Sequence, residues 1–96
     1  MKRDEILTAI RSLSDTIKKN YHAEVISLFG SYARGEEKAS SDIDVLVRFD
    51  DEADLFDFVG LSIFLEEKLG REVDVVPYDT VRPELKEIIF KEAVPV

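Results

Sequence analysis

The sequence contains no cysteine, so neither a disulfide framework nor a thiolate metal site is available to it, and nothing in it calls for an oxidising compartment. Long apolar runs are missing as well. No stretch approaches the ~20 apolar residues of a membrane span. The opening "MKRDEILTAIRSLSD" is charged every few residues and has no apolar segment of the signal-peptide kind. A cytoplasmic protein without membrane contact is expected. Positive charge is scarce: 13 Lys plus Arg stand against 21 Asp plus Glu, a net charge of −8. That is the wrong sign for a protein that follows a phosphate backbone, which argues against long nucleic acid as a partner. Repeats, linkers and low-complexity segments are also absent, and 96 residues leave no room for a catalytic domain plus a separate substrate-binding domain. A single domain over residues 1–96 is expected.

What is present is a regular alternation of apolar patterns. From Asp4 to about Lys19, Ile6, Leu7, Ile10, Leu13 and Ile17 recur at helical intervals, and Lys18 and Lys19 complement the dipole at the end, so one amphipathic helix is expected. "AEVISLF" (Ala23 to Phe29) and "IDVLVRF" (Ile43 to Phe49) are short apolar runs with β-branched members and read as strands. Gly30 to Ser41 between them suits a turn and one helical turn at Ser31 to Arg34, and is too short for a crossover helix. Asp50 to Asp54 reads as a solvated acidic turn. Leu55, Phe58, Val59, Ser62, Leu65 and Leu69 then recur at helical spacing up to a Gly70 stop, and the stripe Leu55, Phe58, Val59, Leu65 is assigned to the core. "EVDVVPY" (Glu72 to Tyr78) gives a third strand, and "PELKEIIFKEA" from Pro83 a third helix with proline in its first turn. The order is α, β, β, α, β, α around one mixed sheet, an α/β fold.

Chemistry concentrates between residues 28 and 49. Gly30 and Gly35 match the outer glycines of a Walker A loop, but Glu36 and Glu37 occupy the positions of its phosphate-binding lysine and metal-binding hydroxyl, which rejects that reading. What remains is a strand ending at Phe29, then Gly30 and Ser31. A backbone without a Cβ can approach a ligand closely, and the Ser31 hydroxyl with nearby N–H groups suits an anionic oxygen; an ordinary glycine turn is the alternative. Asp42 and Asp44 are one residue apart at the entry to a strand, so in extended backbone they point to the same face and repel each other. One or two hard divalent cations would relieve that repulsion, and simple solvation of a turn is the alternative. Asp74 lies between Val73 and Val75, where a carboxylate is costly unless exposed, paired or metal-bound. If its strand lies beside that of Asp44, the three acids form a triad, with Arg34 or Lys38 near enough to offset phosphate charge. His22 reads as a polar connector or dipole partner, and Tyr32 either stacks on a ligand or plugs the turn.

"GSYARGEEKASSDIDVLV" resembles the G-S-x-A-R-G and S-D-x-D signature of the minimal nucleotidyltransferases, the small branch of the polymerase beta superfamily. Asp74 in "EVDVV" falls where that family has its third carboxylate. The resemblance implies a polymerase-beta-like fold, a small mixed sheet of three or four strands with helices on one face. It implies that Gly30 and Ser31 hold the β and γ phosphates of a nucleotide, with Arg34 as the motif arginine. Asp42, Asp44 and Asp74 would be the catalytic and metal-binding residues, Asp42 and Asp44 holding two Mg²⁺ ions and Asp74 helping to activate the attacking group. The implied reaction moves a nucleoside monophosphate from ATP or another NTP to an acceptor and releases pyrophosphate. The implied partner is a HEPN-domain protein encoded next door, an RNase toxin modified by AMP, with this chain as antitoxin in a hetero-oligomer or as a homodimer. An antitoxin that neutralises its partner by contact alone is the alternative. Transfer to a small molecule is disfavoured, because so short a chain offers little surface to enclose one.

Overall fold

The computed structural model describes residues 1–96. Its elements are α1 (Arg3–Ser12), α2 (Ser14–Tyr21), β1 (Ala23–Phe29), α3 (Gly30–Arg34), β2 (Ile43–Phe49), α4 (Leu55–Leu69), β3 (Val73–Pro77), a 3₁₀ turn (Tyr78–Thr80), α5 (Pro83–Glu92) and β4 (Val94–Pro95). The strands form one mixed sheet in the order β3-β2-β1-β4. β1 pairs antiparallel with both β2 and β4, while β2 and β3 are parallel, with α4 as the crossover between them. The short 30–42 connection suits the antiparallel pair, as its length requires.

One face of the sheet is sealed. Val25, Leu28, Ile43, Val45, Val47, Val73 and Val75 meet Ile6, Leu7 and Ile10 of α1, Ile17 of α2, and Leu61, Leu65 and Leu69 of α4 in a single buried cluster. Alternation along the strands sends Asp44, Leu46, Asp74 and Val76 to the opposite face. Tyr32 is 1% exposed, so of the two readings open for it, it plugs the turn after β1. His22 caps α2 in the left-handed region at φ 53°; its carbonyl accepts from Asp50 N–H, and its ring lies 3.7 Å from both Asp50 and Glu52. No helix is long and apolar enough to cross a membrane.

Two expectations need correction. The helix expected from Asp4 to about Lys19 is broken at Leu13, whose N–H bonds back three residues to Ile10 while the Ser12 hydroxyl donates to the Ala9 carbonyl at 2.6 Å. That tightened turn ends α1 and starts α2, and Ile10 and Ile17 are both buried in the result. The second correction concerns α4. Leu55 and Val59 are not core residues but 74% and 47% exposed. At about 100° per residue, Phe58, Leu61, Leu65 and Leu69 occupy one arc of the helix and take the sheet-facing position, which turns Leu55 and Val59 outward. β4 was not expected: two residues with a proline carry no strand pattern of their own and pair only because β1 offers an edge at Ser27 and Leu28.

The rotation of α4 has a direct stability consequence. Leu65→Ala should destabilise the protein by roughly 2–5 kcal/mol, and Leu55→Ala by no more than about 0.5 kcal/mol, as read by urea denaturation.

Candidate active site

Asp44 and Asp74 are register partners in the parallel β2–β3 pair, so their side chains stand next to each other on the face away from the core. β2 enters that position straight from the 35–42 loop, which is pinned at two places. Arg71 donates from Nη1 to the Ala39 carbonyl at 2.6 Å, and the Ser41 hydroxyl accepts from Lys38 N–H at 2.8 Å while Ser41 N–H returns to the Lys38 carbonyl. Asp42 leaves this turn exposed, one residue before the strand begins.

Across the antiparallel pair, Asp44 faces Phe29, and the chain turns sharply after it into α3. Gly30 makes that turn at φ +74°, and a Cβ there would collide with Oδ2 of Asp44. Both demands select glycine: the left-handed backbone and the carboxylate lying against it. Ser31 follows in the first turn of α3, half-buried.

Electrostatics single out Asp44. Burial first, then the charges of Asp74 and Asp42, push its carboxyl up to about 6, while the charge of Arg34 pulls it back. Asp42 and Asp74 are thus both near enough to act on Asp44. The three acids stand apart rather than in a closed three-ligand cluster. That fits a hard divalent cation whose other ligands come from a bound phosphate and water, and does not fit a cage built wholly of protein.

Arg34 is less free than the sequence suggested. Its Nε donates to Glu36 at 3.1 Å and its Nη1 to Glu92 of α5 at 3.0 Å. The hydrogen bond to Glu36, helped by the charge of Glu92, raises its pKa above the ordinary arginine value and keeps it cationic. Lys38 is exposed on the pinned loop. Glu92 and Arg71 are supporting residues that the sequence pattern does not mark. Glu36 and Arg71 border the motif and its third strand, but Glu92 lies 58 residues beyond Arg34 and has no local signal.

With this geometry in view, the class of protein is defined. Residues 10–96 match the nucleotidyltransferase domain, and the chain belongs to that family. Among particular relatives, it is 32% identical over 91 residues to the protein adenylyltransferase MntA of Thermococcus cleftensis, covering 95% of this chain and 92% of that one. It is 54% identical over 70 residues to a candidate protein adenylyltransferase of Methanocaldococcus jannaschii, covering 73% of this chain and 75% of the relative. A solved candidate minimal nucleotidyltransferase superposes with a TM-score of 0.83 at 35% identity, over 100% of this chain and 97% of that one. The same fold, with a TM-score of 0.64 and 21% identity, occurs in a chain of the complex between a tri-AMPylated Shewanella oneidensis HEPN toxin and its MNT antitoxin, over 94% of this chain and 70% of that chain. The expected mixed sheet is thus the family's fold.

The raised pKa of Asp44 sets the sign of a pH effect. Between about pH 4 and 6 the folded chain binds a proton at Asp44 that the unfolded chain does not, so this residue's contribution to stability is lost as pH rises through 6. In chelator, Asp44→Asn should therefore melt several degrees above wild type at pH 7.5, with the gap shrinking at pH 5, as followed by differential scanning calorimetry.

Proposed function

We propose that the chain is a Mg²⁺-dependent protein adenylyltransferase that moves AMP from ATP to a hydroxyl of a HEPN-domain partner and so acts as the antitoxin of a pair. The observation that carries this reading is the pairing of Asp44 and Asp74 on the open face, with Asp44 seated on the bare backbone of Gly30. Two carboxylates held together at that position, with a third nearby, suit a reaction whose main demand is charge neutralisation around a triphosphate. The names of the Thermococcus relative and of the Shewanella complex support the protein acceptor and the HEPN partner.

In this reading Gly30 and Ser31 bind the β and γ phosphates through backbone N–H groups and the serine hydroxyl. Asp42, Asp44 and Asp74 would hold Mg²⁺, which when bound supplies charge neutralisation for the triphosphate and acidity to the acceptor hydroxyl. The acceptor oxygen attacks the α-phosphorus, the bond from that phosphorus to the bridging oxygen breaks, and pyrophosphate leaves with the electron pair. The hydroxyl proton passes to Asp74, whose exposed position on the edge strand leaves it accessible to an incoming protein. Arg34, fixed by Glu36 and Glu92, keeps a positive charge beside Asp44 and lowers the cost of its ionisation.

Intact-mass spectrometry of the purified pair after incubation with ATP and Mg²⁺ tests this. The partner should gain AMP, and Asp44→Asn should slow that gain at least ~1000-fold, roughly 4 kcal/mol of transition-state stabilisation, while the complex still forms. An unmodified partner in a tight inhibitory complex would give the role to contact alone.

A further inference from the structure

α4 is apolar around most of its circumference, yet the fold uses one side of it. Leu55, Phe56, Val59 and Ile63 fall within an arc of about 100° on the other side, at 74%, 86%, 47% and 51% exposure. Single exposed apolar residues are ordinary on a protein surface, but four on one arc of one helix form a patch. Up to Lys68 in the last turn, the charge along this helix and the turn that enters it is of one sign. Between Asp50 and Glu67 there are seven carboxylates and no lysine or arginine. Asp50, Asp51, Glu52 and Asp54 crowd the start of the helix, and Glu67 follows the last member of the stripe by one turn.

That charge decides what can cover the stripe. A second copy of the chain would bring the same carboxylates against these, which like-charge repulsion opposes. α5 offers a contrast: its exposed Leu85, Ile88 and Phe90 lie among Glu84, Lys86, Glu87 and Lys91, charges of both signs that select nothing. We infer that the outer face of α4 is the docking surface for the acceptor protein, and that the partner meets it with an apolar groove rimmed by lysine and arginine. This rests on the protein-acceptor reading above and specifies its recognition surface.

The placement has a mechanistic corollary. α4 covers the sealed face of the sheet, whereas Asp44 and Asp74 stand on the other, so docking and chemistry are separated by roughly 20 Å of packed layers. The path between them passes the free edge of β3, which carries Asp74. The modified hydroxyl therefore sits on a segment that projects from the docked body of the partner and reaches around that edge. Substitutions in the stripe should weaken partner binding without altering turnover of the bound complex.

The test is isothermal titration of the neighbouring HEPN-domain protein into four proteins: wild type, Phe56→Ser with Ile63→Ser, Asp51→Lys with Glu67→Lys, and Leu85→Ser with Ile88→Ser. AMP transfer is measured on each pair, and melting temperatures verify folding. The stripe variant should bind at least about tenfold more weakly, with kcat at saturating partner unchanged and KM for the partner raised. The charge variant should bind more weakly at low salt and approach wild type at high salt, and the α5 variant should match wild type. If wild type binds and is active while the stripe variant binds equally well, the docking surface is elsewhere and the adenylyltransferase reading stands. If wild type forms a homodimer that the stripe substitutions dissolve, the face belongs to a second copy. If wild type neither binds nor modifies the HEPN protein, the partner reading falls and this surface assignment falls with it.

Discussion

Asp44 is held half-buried against the backbone of Gly30 with Asp74 as its neighbour on the next strand, a placement that two carboxylates would not choose. Nearly every local feature around it follows from keeping it there. Gly30 has no side chain because the carboxylate occupies that space, and the turn it makes at positive φ starts α3 directly beside the acid. The loop before β2 is clamped by Arg71 and Ser41, so the strand enters in one register only, and slipping it by one residue would bury the acid and expose Ile43 and Val45. Arg34 supplies the one cation that opposes the repulsion. The sealed face of the sheet, rich in valine, isoleucine and leucine, holds the strands together despite the repulsion on the open one.

This division of labour explains how so small a chain can carry a charged site. Three helices are committed to the core side; on the other face the end that carries Asp44 and Asp74 is left uncovered, while Leu46 and Ser27 farther along it are buried. α5 touches that arrangement at two points, through Glu92 on Arg34 and through Lys86 and Phe90 on Tyr78, the first residue after β3. It thereby links the end of the acid-bearing edge strand with the arginine beyond β1.

Much of this was legible in the sequence because its signals are local. β1 and β2 coincide with the two β-branched runs, α5 begins at Pro83, and Gly70 ends α4 in the left-handed region. The same-face placement of Asp44 and Asp74 also follows from period-two alternation once their strands are neighbours. What escaped depends on partners far along the chain. A helix that is apolar on two sides does not say which side the sheet will take, and the spacing alone points Leu55 and Val59 inward although they are exposed. A tightened turn at Leu13 leaves the apolar spacing of one helix intact while making two. Val94 and Pro95 become a strand only beside β1, and Glu92 becomes a support only beside Arg34.

The parallel pairing of β2 with β3 also orders events in time. Asp44 and Asp74 are thirty residues apart in the chain, and the segment that becomes α4 has to cross over for their strands to meet in parallel. The β1–β2 hairpin closes a much shorter loop, and chain entropy favours it as the earlier step. The repulsive pair of carboxylates thus depends on the longer of the two closures. A nascent or partly unfolded chain carries both aspartates but not their juxtaposition, which exists only where β2 and β3 are paired.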